Sequence, residues 1–502
     1  MPRPAPASVS PRSPGVALIV LFLKALWVAF VIATPVLGAW VASALAAYSN
    51  GKVGVTAAAG LLLFPGVPLA WEGVSTLRRS RRGVQKPRFL TLGDRIILRT
   101  LAVNLLFLGV LLGTRPAAAF AALSTRGDWM LDGRHGAQVE TARHWLFRAA
   151  DGLEWLYLAV HEDRFAQKVP DPPPVGSSTP GPAPAPSGSA TVPTPVPRPE
   201  TGHGGSTGTE ATAKWPLPRK LHPAVASMPA DAEASIETVA KYIADRDTTP
   251  AGRLKAAHDW VADRIAYDAP AYAVHQYPPQ DARTVFAHRT GVCAGYAQLL
   301  EALGKALGLE VYYVTGDART SGQNETGEGH AWNVARIDGH YVLIDATWDS
   351  GSVDGVKFTR GYRTDYYLTP GEVFTVDHFP SDSRWQLRES PLSRGDFFRQ
   401  PMMTPRFYAE HRELVSPTRS QVTVRGPLEI VMKAPPTLFT LAELRRNGEK
   451  AGRDCAVVRG EVTRVTCDFP GPGAYSVMMF SNTQEYGSPY EYIGQIEANR
   501  EP

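Results

Sequence analysis

Cysteine is scarce in this sequence, with only Cys293, Cys455 and Cys467 among 502 residues. It has no Cys-x-x-Cys pair and no His-Glu-x-x-His run, the two spacings most typical of zinc sites. A glycine-rich loop of the kind that holds phosphate is also missing. The net charge is only +4 and is unevenly distributed. We therefore expect no metal or other cofactor, and no nucleic acid as a partner.

Long apolar runs are concentrated near the N-terminus, at positions 16–47, 53–74 and 96–123. A bilayer is crossed by about 20 apolar residues, so each run is long enough. Between the second and third runs only Asp94 opposes a set of basic residues: Arg78, Arg79, Arg81, Arg82, Lys86, Arg88, Arg95 and Arg99. The positive-inside rule places such a loop in the cytoplasm. The sequence thus predicts a multi-pass membrane protein, with about three transmembrane helices in residues 1–126 and the remainder outside the cytoplasm.

Three alternatives stay open for this region. The first run can be a cleaved signal, because Ala44-Leu45-Ala46 resembles a processing site. The runs can also be buried helices of a soluble domain. The basic residues are conceivable as a nucleic-acid patch, but a short basic loop between apolar spans more often sets membrane orientation.

Two connecting segments follow the apolar runs. Residues 127–168 have a helical pattern and are predicted to form a juxtamembrane helix that lies on the bilayer or packs on the spans. Residues 169–219 form a linker, and positions 170–199 contain twelve prolines, a composition that favours extended polyproline conformations. We expect this linker to hold the following domain away from the membrane, which suits a substrate in the cell wall or envelope.

The segment around Cys293 has the strongest chemical signal in the chain. Thr290 and Gly291 lead into an amphipathic helix whose apolar residues recur at helical spacing, and Gly308 marks its end. Cys293 then lies in the first turn, where the partial positive charge and free N–H groups favour a thiolate and can stabilise an oxyanion. Buried cysteines are more often inert packing, so this position alone does not establish a nucleophile.

A predicted β-hairpin supplies a base and a carboxylate. Asp338-Gly339 separates two apolar runs, a strong signal for a two-residue hairpin loop. If Ile337 faces His340, then His330 and Asp345 become diagonal neighbours on one face, within side-chain reach. A carboxylate placed there can orient the imidazole, which makes Cys293, His330 and Asp345 a candidate nucleophile, base and orienting acid.

Other residues remain alternatives for these roles. His258, His275 and His288 are possible bases, but they lie on a predicted helix or in loops without an obvious acidic partner. Asp349 is a second carboxylate close by in the sequence. The hairpin register favours Asp345 over Asp349 as the partner of His330. His330 and Asp345 can also be ordinary structural residues.

Three segments resemble the transglutaminase-like superfamily of papain-type cysteine acyl transferases: Arg289-Thr290-Gly291-Val292-Cys293-Ala294-Gly295-Tyr296-Ala297, Gly329-His330-Ala331-Trp332-Asn333 and Ile344-Asp345-Ala346-Thr347-Trp348. Within it, Tyr366-Tyr367-Leu368-Thr369-Pro370 and His378-Phe379-Pro380 resemble the kyphoscoliosis-peptidase and cytokinesis-associated branch. The resemblance implies an α+β fold with a papain-like core, in which the helix carrying the cysteine packs on an antiparallel sheet. It also implies cysteine chemistry at amides without a metal, and matches Cys293, His330 and Asp345 to the family's triad.

We place the transglutaminase-like domain at residues 220–389. Tyr296, Trp332 and Trp348 are possible walls of the substrate cleft, although core packing explains the tryptophans equally well. Residues 316–329 are polar and contain glycine, which predicts a mobile loop that delivers His330.

Residues 390–502 contain short alternating runs separated by turn residues, which predicts an antiparallel sandwich of immunoglobulin-like type. Cys455 and Cys467 lie in this region, twelve positions apart. Outside the cytoplasm a disulfide between them is feasible.

We therefore expect a membrane-anchored cysteine peptidase or amidase that acts on protein or peptide amides through a thioester. Hydrolysis is favoured because an open polar cleft admits water. The alternatives are a crosslinking transglutaminase, a non-catalytic membrane-tethered scaffold, and an adhesion protein built around the C-terminal sandwich.

Overall fold

A computed structural model describes residues 14–49, 53–82, 89–134, 136–159, 165, 215–320 and 324–502. The predicted linker, 169–219, therefore lies outside the described residues up to position 214. The N-terminal part of the described chain is helical: α1 (Pro14–Tyr48), α2 (Val53–Leu61), α3 (Val67–Arg81), α4 (Leu92–Thr114), α5 (Pro116–Arg126), α6 (Ala137–Asp151) and α7 (Glu154–Leu158). A π-helical turn, Leu62–Gly66, joins α2 to α3, and a 3₁₀ turn, Trp129–Leu131, precedes α6.

Three helical stretches among the described residues are long and apolar enough to cross a membrane: Leu18–Tyr48, Gly54–Arg81 and Leu92–Thr114. The third predicted run, 96–123, was placed too far along the chain. Arg115 leaves the helical conformation with φ −145° and ψ 57°, and Pro116 begins a new helix. Proline is tolerated at the first position of a helix but cannot continue one, which explains the break.

The helix α5 is buried in protein rather than exposed to lipid, since every residue from Ala119 to Arg126 is buried. Phe120 packs with Tyr157 of α7 and with Phe398 near the start of the C-terminal region. The helices after the candidate spans therefore pack directly against the folded part of the chain. This packing contradicts the expectation that a linker holds the folded part away from the spans. Sequence composition gives no sign of such long-range contacts.

The middle of the chain begins with helices and two short strands that position Cys293. These elements are α8 (Pro223–Ala226), a 3₁₀ turn (Ala230–Glu233), α9 (Ile236–Ala244), α10 (Pro250–Arg264), β1 (Ala266–Tyr267), α11 (Ala269–Ala273), α12 (Ala282–His288), β2 (Thr290–Gly291) and α13 (Cys293–Ala306). β1 and β2 pair in parallel.

An antiparallel sheet of five strands follows, in the order β8-β5-β4-β3-β9. The elements of this part are β3 (Glu310–Thr320), β4 (Asn324–Ile337), β5 (His340–Ile344), β6 (Gly351–Asp354), β7 (Lys357–Arg360), β8 (Tyr367–Thr369), α14 (Gly371–Phe374), β9 (His378–Pro380) and a 3₁₀ turn (Ser383–Gln386). β6 and β7 form a separate hairpin.

The predicted register of the β4–β5 hairpin is confirmed, because Ile337 pairs with His340. Asp338 and Gly339 both have positive φ, 50° and 84°, as a type I′ turn requires. The predicted mobile loop at 316–329 is instead largely strand: β3 and β4 pair as far as Thr320 and Asn324. Residues 321–323 lie outside the described residues.

The helix α13 lies against this sheet and shares an apolar core with it. Tyr296, Leu299, Leu300 and Leu303 of α13 enter the core, and Ala335 of β4 contributes from the sheet. One polar anchor fixes the distance between the two layers. The side-chain amide of Asn333 donates to the carbonyl of Ala297 at 2.9 Å and to that of Tyr312 at 3.2 Å.

The C-terminal region contains α15 (Arg394–Arg399), β10 (Met402–Met403), α16 (Pro405–Ala409), β11 (Glu413–Ser416), β12 (Gln421–Val424), β13 (Leu428–Lys433), β14 (Phe439–Arg446), β15 (Glu449–Lys450), β16 (Ala456–Val458), β17 (Thr463–Cys467), β18 (Gly473–Asn482) and β19 (Glu491–Arg500). One sheet has the order β10-β19-β18-β14-β15 with β12 on β19, and the other has the order β11-β13-β17-β16. Cys455 and Cys467 form a disulfide. The two sheets share a core, so the predicted α+β class with a sandwich-like C-terminal region is confirmed. The described strand pairs of these two sheets are antiparallel, as predicted, except that β12 runs parallel to β19.

Candidate active site

Cys293 is the first residue of α13, as its sequence position predicts. The side-chain carbonyl of Gln280 accepts the N–H of Val292 at 2.8 Å and fixes the residue that precedes the helix. Gly295 permits this contact, since a Cβ there would lie 2.5 Å from Gln280 Oε1 and 2.7 Å from a methyl group of Val285. The sequence thus places the thiol at a helix N-terminus whose position is set by close packing.

His330 and Asp345 meet next to Cys293. His330 lies on β4, and Asp345 directly follows β5. The Nε2 atom of His330 is 2.8 Å from Oδ2 of Asp345, and Cys293 is close enough to the same imidazole to raise its pKa. Because Nε2 faces the carboxylate, Nδ1 is the ring nitrogen left for the thiol. The structure therefore brings the three predicted residues into one connected group.

His378 joins this group and was missed as a site residue. Its Nε2 lies 3.1 Å from the same Oδ2 of Asp345, and its Nδ1 lies 2.7 Å from Oδ1 of Asp377. It lies on β9, which pairs with β3 on the far side from β4. The His378-Phe379-Pro380 motif was a signal, but the sequence did not indicate that β9 returns to the edge of this sheet.

Electrostatic contacts within the group outweigh the effect of burial on all three side chains. Burial lowers the pKa of His330, but the Asp345 carboxylate and Cys293 outweigh burial and raise it to about 9. Burial also lowers the pKa of His378, while Asp377 and Asp345 raise it to about 9. For Asp345, burial raises the pKa, but the two histidines hold it well below the usual range of a carboxyl. Both imidazoles therefore remain cationic at neutral pH, with Asp345 ionised between them.

These three side chains are also a group that could hold a metal ion, since donor atoms of His330, Asp345 and His378 lie within 4.8 Å of one another. Two histidines and a carboxylate are a common ligand set for zinc and iron. Here both imidazoles are directed at one carboxylate oxygen at hydrogen-bond distances, so a metal would have to replace these contacts. The hydrogen-bonded arrangement accounts for the cluster through the chain's own groups.

The aromatic residues predicted to line the cleft have different positions. Trp348 is half-buried, with its ring centroid 5.7 Å from that of His330, so it stands beside the reacting group. Trp332 stacks at 6.0 Å from His330 but is buried. Tyr296 has no exposed surface, and its hydroxyl donates to the carbonyl of Ile265 at 2.8 Å. Its position corrects the expectation of a cleft wall, because this face of α13 points into the core.

The alternative base His258 has acidic partners that the sequence did not reveal. Its ring nitrogens lie 3.0 Å from Asp259 and 3.1 Å from Asp349, and all three side chains are buried. Asp349 also accepts the N–H of Tyr366 at 3.0 Å. The pair of His258 and Asp349 stabilises the turn that follows Asp345 and does not include the Cys293 thiol. The remaining alternatives lie elsewhere: His275 is exposed beside Tyr277, and His288 ends α12.

Part of the chain is similar in sequence to known proteins. The sequence model of the transglutaminase-like superfamily matches residues 237–346. Kyphoscoliosis peptidase of Homo sapiens is 29% identical over 238 residues, which are 44% of this chain and 36% of that protein. The Mus musculus protein of the same name is 30% identical over 261 residues, 48% of this chain and 37% of that protein. The chain thus spans little more than a third of the curated relatives it matches.

Among solved structures, one titled "Crystal structure of a TGase" is 24% identical, with a TM-score of 0.20. The match covers 26% of this chain and 34% of that chain.

Proposed function

Because residues 237–346 belong to the transglutaminase-like superfamily, on the kyphoscoliosis-peptidase branch, we propose that this chain is a membrane-anchored cysteine peptidase or amidase. Its substrates are protein or peptide amides outside the cytoplasm. The observation that carries the proposal is the connected group of Cys293, His330 and Asp345, with Nε2 of His330 at 2.8 Å from Asp345. A lone buried cysteine would not need a histidine and a carboxylate in this order.

In the proposed reaction the Cys293 sulfur attacks the carbonyl carbon of a substrate amide, and the N–H groups at the start of α13 stabilise the oxyanion. His330 then gives its proton to the leaving amine, and a thioester remains. A water molecule, deprotonated by His330, attacks the thioester and releases the acid and the free thiol. Asp345 keeps the imidazole oriented throughout, since its Oδ1 is fixed by the N–H groups of Thr347 and Trp348 at 2.8 and 3.2 Å.

The membrane part of the proposal is that the three apolar helical stretches span a bilayer, with the basic segment around Arg78–Arg82 in the cytoplasm. The region that contains Cys293 then lies on the opposite side. The disulfide between Cys455 and Cys467 supports this orientation, because such bonds persist in oxidising compartments.

The proposal is tested by the pH dependence of iodoacetamide alkylation at Cys293 in the full-length protein, compared with His330→Ala. We expect the wild type to react at mildly acidic pH and the variant to lose this acidic limb, because the imidazolium stabilises the thiolate. Exposed His340→Gln serves as the matched control and should leave the profile unchanged. Identical profiles for wild type and His330→Ala would show that the thiol is not activated, as in a scaffold.

A second assay separates hydrolysis from amine transfer. Dimethylated casein is offered as the acyl donor, together with a fluorescent primary amine. Cleavage of casein or release of ammonia without labelling supports the peptidase or amidase. Labelling of casein by the amine instead identifies a crosslinking transglutaminase.

A further inference from the structure

Phe165 packs in the same apolar cluster as the candidate nucleophile, and the proposed reaction gives it no role. Its side chain is only 8% exposed and belongs to one apolar cluster with Cys293. The other buried members of this cluster come from the start of α13 and from the two central strands: Val292, Ala294, Ala297, Tyr313 and Ala331. Cys293 itself has no exposed surface in this arrangement. Phe165 is therefore part of the packing that surrounds the buried sulfur.

The main chain of Phe165 is bound as well as its side chain. The hydroxyl of Tyr313, which lies on β3, donates to the carbonyl oxygen of Phe165 at 3.0 Å. These two residues are 148 positions apart in the chain. Enzyme clefts hold peptides in the same manner, with a side chain in an apolar pocket and a few well-placed polar contacts that fix the orientation.

The walls of this pocket are aromatic. The partly buried side chains of Tyr267, Tyr272 and Tyr277 pack against the cluster, and the Tyr277 ring centroid is 5.6 Å from that of Phe165. Glu328 accepts a hydrogen bond from the Tyr272 hydroxyl, which leaves the tyrosine ring to form the wall. Aromatic walls favour an aromatic occupant through ring contacts, whereas a charged or amide side chain would lose its hydration there.

We propose that the pocket filled by Phe165 is a subsite for an aromatic side chain of the polypeptide substrate, and that Phe165 occupies it as an internal competitor. The inference deepens the proposed function and rests on it, since the pocket shares one apolar cluster with the nucleophile. It identifies the substrate class as polypeptides with an aromatic residue close to the scissile amide. In the full-length protein, the substrate binds at the cost of displacing the chain's own residue.

The test compares full-length wild type, Phe165→Ala and the matched control Phe165→Tyr, with iodoacetamide as the probe of Cys293. Phe165→Ala should be alkylated at least about tenfold faster than the other two proteins, the factor implied by losing one buried aromatic side chain. Tyr313→Phe removes only the hydrogen bond to the Phe165 carbonyl and should give a smaller increase. N-acetylphenylalanine amide should then slow the alkylation of Phe165→Ala, and N-acetylalanine amide at the same concentration should not.

Equal alkylation of wild type and Phe165→Ala would show that Phe165 does not obstruct the thiol and would overturn the proposal. Protection by both amides, or by neither, would overturn the assignment of an aromatic subsite. Failure of the proposed function has a different signature. In that case Phe165→Ala and the double variant Phe165→Ala/His330→Ala would show the same pH dependence, whatever the effect of the amides.

Discussion

The carboxylate of Asp345 receives four hydrogen bonds, which is close to its full capacity. Two come from the N–H groups of Thr347 and Trp348, and two from the imidazoles of His330 and His378. A carboxylate held in this way has no freedom to rotate. His330 is consequently oriented by a group that is itself fixed by a second histidine, so His378 is a positioning residue for the proposed reaction.

We expect His378→Gln to lower the rate of Cys293 chemistry by up to about a hundredfold without abolishing it, the scale set by small errors in orientation. The measurement is the alkylation profile against pH in the full-length protein. The acidic limb should become weaker in this variant, because Asp345 is less firmly placed against His330. His340→Gln, on the exposed end of the β4–β5 hairpin, is the control. A fall in stability with an unchanged profile would make His378 merely structural.

Stability should depend on pH through the same histidines. The pKa values of His330 and His378 are raised from 6.5 to about 9 in the folded chain. Since the folded value exceeds the unfolded one, their contribution is complete below pH 6.5 and is lost as the pH rises toward about 9. The free energy of unfolding of the full-length protein, followed by tryptophan fluorescence across this window, should fall. A flat dependence would contradict the charged pair.

At the scale of elements, α13 packs closely against Gln280 and against Val285 of α12. Gly295 faces Gln280 and Val285 so closely that a methyl group would overlap both. Gly295→Ala should destabilise the fold by about 1–3 kcal/mol and displace Cys293, because overpacking in a tight core is relieved only by backbone shifts. Urea unfolding and the alkylation rate measure the two effects. Gly426→Ala, which meets open space, is the control and should change neither.

The elements differ in how far the sequence predicts them. The β4–β5 hairpin was predictable because Asp338-Gly339 fixes the turn type, and the turn fixes the register. Alternating sequence patterns do not predict the strands β14 and β19, because their burial does not alternate regularly: four successive residues of β19, Ile493 to Ile496, are buried. The helix α5 was fused with the preceding span because both are apolar. Local patterns thus predicted that Cys293, His330 and Asp345 come together, while the positions of His378, Phe165 and the partners of His258 depend on contacts between distant segments.

At the scale of the whole molecule, the helices after the third span are bound to the C-terminal region by buried charge. Arg419 makes two contacts of 2.8 Å with Asp128 and donates to the carbonyl of Thr125 at 2.6 Å. Burial raises the pKa of Asp128, but Arg419 and Arg143 more than offset it and lower the value. The ion pair of Asp128 with Arg419 therefore links the N-terminal helices to the C-terminal region.

Arg419→Ala should destabilise the protein by up to about 3 kcal/mol, the low end for a broken buried pair because Arg143 still contacts Asp128 at 2.7 Å. Thermal unfolding in detergent measures this loss. Hydrogen exchange in α5 should also rise, since the contact spans the two regions. Arg425→Ala removes an exposed ion pair with Glu501 and should have almost no effect. Equal losses of stability for the two substitutions would show that the Asp128–Arg419 ion pair does not stabilise the protein.

The Asp128–Arg419 ion pair has a consequence for where the proposed reaction can occur. If α1 and α4 span a bilayer, as proposed, the contacts of α5 and Asp128 fix the height of Cys293 above the lipid surface. The proposed enzyme would then search for substrate by lateral diffusion in two dimensions, and its reach would not grow with the length of any linker. Only chains that enter one thin layer, parallel to the membrane and at that height, would be processed.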